Sequence, residues 1–167
     1  MLFRTNIFLH ANRFNDWYER CHWLVATLAI LVATYAAVIP VVIFSEIFDL
    51  LEVGPGSDVM ESAGVLGRLF LGSIFGPLIE TITIQWAPIR LLHGKFRKAP
   101  VVPILISAVL FALTHSYSAG YAVLTFFIGV VLAYGFQGRD RPGGKAFMIV
   151  FIAHALRNLT ATIARAF

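Results

Sequence analysis

Five long runs of apolar residues, separated by short polar connections, dominate the 167-residue chain. The runs extend over His22–Phe44, Leu66–Ile89, Pro100–Tyr117, Ala119–Phe136 and Ala146–Ile163. Each run is continuously apolar and does not alternate with period two, which favours α-helices over the strands of a barrel. Because a helix needs about 20 mostly apolar residues to cross a bilayer, the pattern predicts about five transmembrane helices. The predicted fold class is an all-α, polytopic membrane protein.

The composition supports a membrane protein and excludes several other classes. Hydrophobic residues make up 59% of the chain and charged residues 13%, whereas soluble domains have about 45–50% and about 25%. So little charge cannot coat a globule in water, which argues against a disordered protein, a nucleic-acid-binding protein and an ordinary soluble enzyme. Membrane lipids are therefore the expected surroundings, and no nucleic-acid partner is expected.

The charged residues are sorted between alternate connections. Ten of the 13 basic residues flank the cytoplasmic ends of the predicted helices: Arg4, Arg13, Arg20, Arg90, Lys95, Arg97, Lys98, Arg139, Arg141 and Lys145. Five of the nine acidic residues follow the first run: Glu46, Asp49, Glu52, Asp58 and Glu61. Because Lys and Arg accumulate on the cytoplasmic side, the N-terminus is predicted inside and the C-terminus outside. The predicted location is a bacterial cytoplasmic membrane.

Four polar side chains interrupt the apolar runs: Glu80, His115, His154 and Asn158. A charged side chain at mid-membrane costs about 2.5–3.5 kcal/mol on insertion scales, so such positions are candidates for function. His154 and Asn158 are four residues apart and share one helix face, as do Phe111 and His115. A carboxylate, two imidazoles and a carboxamide can activate water and stabilise an oxyanion. The same residues are also consistent with hydrogen bonds between helices, or with a proton path in a transporter.

The order and spacing of these residues resemble the CPBP family of intramembrane proteases, which includes CAAX prenyl proteases and Abi-type immunity proteins. The family shows Glu-Glu-x-x-x-Arg, then Phe-x-x-x-His, then His-x-x-x-Asn or His-x-x-x-Asp. Phe111–His115 and His154–Asn158 match the second and third motifs. Glu80 matches the leading glutamate of the first motif, but Thr81 and Gln85 replace its second glutamate and its arginine.

The resemblance implies a four-helix catalytic core over residues 66–167. Residues 1–65 would then hold an N-terminal interfacial segment, the first transmembrane helix and an acidic outer linker. The implied activity is an endopeptidase that cuts a hydrophobic or lipid-anchored peptide at the membrane. In this scheme Glu80 activates water with the help of His115, while His154 and Asn158 form the oxyanion hole.

Supporting roles and alternatives follow from the same resemblance. Thr81 and Gln85 would replace the missing ion pair by a hydrogen bond. Arg157 would either pair with Glu80 or extend towards the outer surface. Zinc is the one cofactor considered, with Glu80, His115 and His154 as its three ligands; a glutamate-dependent mechanism needs none. Because the first motif is altered, the alternative function is a non-catalytic family member that acts as an immunity factor or as a subunit of a membrane complex.

Overall fold

The computed structural model describes residues 13–48, 62, 64–93, 96 and 99–166. These residues are helical apart from short connections, and no strand occurs among them, which confirms the predicted all-α class. Residues 13–20 form a first helical segment. The longer helices are α1 (Trp23–Phe48), α2 (Gly64–Phe70 continuing to Ala87–His93), α3 (Val101–Thr114), α4 (Ala119–Arg139) and α5 (Ala146–Ala166). The side chain of Glu46 and all of Asp49, Glu52, Asp58, Glu61, Arg4, Lys95, Arg97 and Lys98 lie outside the described part.

Four of the five predicted spans are long and apolar enough to cross a membrane: Trp23–Phe44, Gly64–Leu92, Ala119–Arg139 and Ala146–Ala164. The chain is therefore an integral membrane protein. The third predicted span differs, because α3 is an apolar helix of 14 residues and rises only about 21 Å at 1.5 Å per residue. The chain turns at His115, and Ser118 caps α4 by accepting a hydrogen bond from the backbone N–H of Tyr121 at 3.1 Å.

Helix α4 lies at the centre of the bundle, in contact with α1, α3 and α5. Its buried side chains Leu132 and Phe136 belong to a core that includes Ile30 of α1 and Ile149 of α5. A glycine allows α3 to approach unusually closely: a Cβ atom at Gly129 would lie 3.0 Å from Ala108 Cα and from Phe111 Cβ. Small residues at such crossings let two membrane helices pack backbone to backbone.

Helix α2 contains two π-helical stretches, each placed just before a proline. The first is Leu71–Phe75, after which the backbone N–H of Gly76 donates to the carbonyl of Leu71, five residues earlier. Pro77 follows and has no N–H to donate. The carbonyl of Gly72 thus loses its donors at both the fourth and the fifth following residue, and it is free to accept a hydrogen bond from another helix.

The second π-helical stretch, Thr81–Trp86, precedes Pro88. Pro88 cannot donate to the carbonyl of Ile84 four residues earlier. Ser107 of α3 replaces the lost donor, since its hydroxyl donates to that carbonyl at 2.6 Å. The prolines of α2 therefore tie this helix to its neighbours, and π-helical turns of this kind are common near functional sites.

Candidate active site

The carboxylate of Glu80 lies between the two histidines predicted to share its site. Its Oε1 is 3.8 Å from Nε2 of His115, and its Oε2 is 3.4 Å from Nε2 of His154. The three residues come from α2, the end of α3 and the middle of α5. Glu80 Oε2 is buried and accepts no hydrogen bond from the described residues. Three of the four predicted catalytic residues thus meet at one point.

The tautomer of His115 follows from its surroundings. Its Nδ1 lies 2.8 Å from the carbonyl oxygen of Phe111 and 3.1 Å from the hydroxyl oxygen of Thr114. Because a carbonyl oxygen only accepts, Nδ1 carries the proton that bonds to Phe111. In the neutral ring, Nε2 is therefore an acceptor, and this acceptor faces Glu80.

Phe111 packs against both imidazole rings. Its side chain is buried, its ring centroid lies 4.5 Å from that of His115, and it meets the ring of His154 edge-on at 5.4 Å. Aromatic pairs of this geometry contribute about 0.5–1.5 kcal/mol each beyond the buried area. The second and third motifs are thus joined through one phenyl ring, which supports the predicted role of Phe111.

Asn158 lies one helical turn beyond His154 on α5 and contacts α2 through a different group. Its side-chain amide donates to the carbonyl of Gly72 at 3.0 Å, the carbonyl that Pro77 leaves without a helical donor. A carboxamide nitrogen has two hydrogens, so this bond occupies only one of them. Asn158 therefore fixes α5 against α2 and keeps one further donor.

The predicted hydrogen bond between Thr81 and Gln85 is wrong. Both side chains are fully buried, yet Thr81 Oγ1 and both amide atoms of Gln85 lack a partner among the described residues. The two residues lie in the π-helical stretch Thr81–Trp86, where the rotation per residue differs from that of an α-helix, so their side chains are not directed as the α-helical spacing rule assumes. Unpaired buried polar groups cost about 1–3 kcal/mol each, and native proteins usually pair them with water.

The predicted pair between Arg157 and Glu80 is not formed either. The guanidinium of Arg157 lies over the ring of Tyr35 in α1, with its Cζ atom 5.6 Å from the ring centroid. The hydroxyl of Tyr35 in turn contacts the hydroxyl of Thr160. Arg157 therefore holds α5 against α1, an arrangement that was not among the sequence-based expectations.

A zinc site requires at least three donor side chains around one point. No group of three His, Cys, Asp or Glu side chains within the described ranges is arranged to hold a metal ion. Zinc binding by Glu80, His115 and His154 stays a prediction.

The site is reachable from one side of the bundle. The side chains of Glu80 and His115 are 24% and 16% exposed, whereas that of His154 is 2% exposed. Glu80 and His115 are therefore partly accessible, whereas His154 is enclosed.

The chain matches one known protein family. The family described as type II CAAX prenyl endopeptidase Rce1-like matches residues 62–160, a stretch of more than half the chain that includes Glu80, His115, His154 and Asn158. The chain belongs to this family. The expected relationship to CPBP membrane proteases is thereby confirmed. No curated protein and no solved structure shows a significant match to the chain.

Two residues that contact predicted site residues were not predicted from the sequence. Gly72 was not among the predicted site residues, although its carbonyl binds Asn158. Tyr35, the partner of Arg157, had no assigned role. Pro77 indicates a free carbonyl in the preceding turn, because a proline within a membrane helix leaves an earlier carbonyl to be paired elsewhere, and the π-helical stretch makes it the carbonyl of Gly72.

Proposed function

We propose that the protein is an intramembrane endopeptidase that hydrolyses a peptide bond of a hydrophobic or lipid-anchored peptide. The observation that carries the proposal is the convergence of Glu80, His115 and His154 from three helices onto one partly accessible point. Family membership supports CAAX-type protease chemistry in general. The position of Glu80 within one of four helices that are long and apolar enough to cross a membrane supports a substrate that approaches within the membrane.

Glu80 and His115 are placed to bind the attacking water. The neutral Nε2 of His115 and the carboxylate Oε1 are both acceptors, 3.8 Å apart, and polar contacts of this length are commonly bridged by water. One water can donate to both. As its oxygen attacks the scissile carbonyl carbon, Glu80 takes a proton, and the carboxylic acid then gives that proton to the leaving nitrogen as the C–N bond breaks.

His154 and Asn158 are the proposed donors to the developing oxyanion. His154 contributes an N–H group in the tautomer that is protonated at Nε2, and Asn158 contributes the amide hydrogen that Gly72 does not use. Removal of one such donor typically costs about 10²–10³ in kcat. The products are a carboxylate and an ammonium group, which together contain both hydrogens of the attacking water, so the hydrolysis balances without another reactant.

The decisive experiment replaces Glu80 by Gln, which preserves size and polarity but removes the base. Turnover of a prenylated CAAX peptide and of its unprenylated counterpart is followed by mass spectrometry, with the full chain in lipid vesicles. We expect a loss of about 10²–10⁴, the usual contribution of a general base. The matched control is Asp16→Asn, an equivalent change at an exposed position, which retains full activity. Unchanged cleavage by Glu80→Gln would contradict the proposal.

A second candidate function is a non-catalytic family member that acts as an immunity factor or as a complex subunit. It is favoured by Gln85, which stands in the place of the family arginine and has no hydrogen-bond partner in the described part of the bundle. Under this alternative the folded wild-type protein cleaves neither peptide. Replacing Glu80 then has no effect on its cellular function. An endopeptidase, in contrast, requires Glu80 both for peptide cleavage and for its cellular function.

A further inference from the structure

A second concave surface lies at the opposite end of the bundle from His115. It is an open groove of about 550 Å³ between the end of α2, the α4–α5 connection and the start of α5. Arg90, which lines it, follows Glu80 by ten residues, or about 15 Å of helix. Ile82, two residues after Glu80, is the lining residue nearest to it in sequence, and none of Glu80, His115 and His154 lines the groove.

The groove is rich in cations. Arg90, Arg139, Arg141 and Lys145 line it, together with one acid, Asp140. Two of the cations have carboxylate partners, because Arg90 binds Asp140 at 2.7 Å and Arg141 lies 3.4 Å from Glu19, outside the lining. Arg139 and Lys145 have no carboxylate within ion-pair distance among the described residues. The groove therefore carries uncompensated positive charge.

Arg139 is the most informative of these residues, because it is 95% buried, with 5% of its surface exposed. Its Nη2 donates to the carbonyl of Cys21 at 2.6 Å and contacts Sγ of Cys21 at 3.1 Å. Its Cζ atom lies 5.2 Å from the ring centroid of Tyr18, and its Nε has no partner within the described ranges. A guanidinium buried without an anion is energetically unfavourable, so an anion in the groove would stabilise Arg139.

The start of α5 adds a further attraction for an anion. This 21-residue helix begins at Ala146 in the wall of the groove and has no acidic residue in its first turn. The N-terminus of a helix carries a partial positive charge and unpaired N–H groups, which bind phosphate well. Lys145, directly before the helix, lies with its ammonium group 5.4 Å from the ring centroid of Trp23.

The remaining walls are apolar and continue towards the middle of the membrane. Ile82 and Trp86 of α2 line the groove and are partly exposed, and Phe147 and Met148 of α5 lie opposite. Tryptophan beside cationic side chains is typical of the membrane interface. A ligand with a phosphate at one end and an acyl chain at the other complements both parts of this surface.

We propose that this groove binds an anionic phospholipid, with its phosphate beside Arg139, Lys145 and the start of α5, and with an acyl chain along Trp86 and Ile82. The site is independent of catalysis at Glu80. It lies at the end of the bundle that the distribution of basic residues assigns to the cytoplasmic leaflet.

The test titrates the full chain, purified in detergent, with phosphatidylglycerol or with phosphatidylcholine of identical acyl chains, and follows the thermal unfolding temperature. We expect stabilisation by phosphatidylglycerol at concentrations at which phosphatidylcholine has little effect. Lys145→Gln, an exposed substitution, should weaken the apparent affinity about fivefold, the usual contribution of one basic residue near anionic lipid. Arg139→Gln should weaken it further.

The matched control is Arg20→Gln, which removes an exposed charge near the same end of the bundle but outside the groove and leaves the affinity unchanged. Because Arg139→Gln also loses its bond to Cys21, Lys145→Gln decides the outcome if the first variant fails to fold. Equal effects of both lipids, or equal affinity of Lys145→Gln and wild type, would overturn the proposal. Inorganic phosphate that stabilises the protein as well as the lipid would also overturn it, in favour of a site for a free anion. Cleavage activity does not enter the measurement.

Discussion

The contact between α3 and α4 at Gly129 leads to a quantitative prediction for Gly129→Ala. The added Cβ would lie 3.0 Å from Ala108 Cα and from Phe111 Cβ, whereas carbon atoms normally pack at about 3.5–4.0 Å. The two helices must therefore separate by about 0.5–1 Å. Overpacking costs about 1–3 kcal/mol, partly offset by the gain of about 1 kcal/mol in helix propensity when alanine replaces glycine.

The net destabilisation of Gly129→Ala should be about 1 kcal/mol, or a decrease of about 2–4 °C in unfolding temperature for a chain of this size. Activity should fall more steeply, because Phe111 moves with α3 and supports both histidines. A displacement of about 1 Å can cost about 10²-fold in rate. The assay combines thermal unfolding in detergent with cleavage of the lipidated peptide in vesicles.

Gly135→Ala on the same helix is the matched control. Its Cβ would lie 2.6 Å from Cδ1 and 2.9 Å from Cγ1 of Ile30, so the Ile30 side chain must change rotamer and this variant is also destabilised. The contact involves α1, away from the candidate active site, so turnover should stay within about twofold, less than the rate change that 1 kcal/mol produces. Wild-type stability and turnover in Gly129→Ala, or an equal loss of turnover in both variants, would refute the explanation from close helix packing.

Two further predictions concern pH and metal. The buried phenol of Tyr18 donates to the carbonyl of Gly135 at 3.0 Å, and burial raises the pKa of Tyr18 above its ordinary value of about 10. The free energy of unfolding should therefore fall as the pH rises above about 10. Tyr18→Phe should lose about 1 kcal/mol of stability at neutral pH, but its stability should decline less in alkali, as measured by thermal unfolding. An identical decline in wild type and variant would show that Tyr18 is not the cause. Because the proposed mechanism uses Glu80 as the base and needs no metal, dialysis against a chelator should leave turnover unchanged. A loss of turnover that only zinc restores would disprove this.

Much of the fold could be predicted because lipid permits few alternatives. A continuous apolar run must satisfy its own backbone, so α1, α4 and α5 follow the predicted spans closely. The end of α3 was harder to predict, since the apolar run continues to Tyr117 while the helix ends at Thr114. Hydropathy measures the preference for lipid and carries no information about where the backbone turns.

The sequence predicts the part of the candidate site that follows from the free-energy cost of exposing polar side chains to lipid. Glu80, His115 and His154 face one another because polar groups in membrane helices avoid lipid. The pairing of Thr81 with Gln85 failed because spacing rules for side chains assume a regular α-helix, and α2 is π-helical there. Local spacing also contains no information about which distant ring lies near a cation, so the contact of Arg157 with Tyr35 on α1 could not be foreseen.

The short length of α3 has a consequence for the surrounding bilayer. The helix covers about 21 Å of a hydrocarbon layer about 30 Å thick. It ends at the polar residue Thr114, and the polar residues His115 and Ser116 come next. Such hydrophobic mismatch is relieved when lipid thins locally around the short helix, which brings headgroups and water down to His115. Membrane thickness then becomes a determinant of hydration at the Glu80 carboxylate, so lipids with shorter acyl chains should suit this protein better than longer ones.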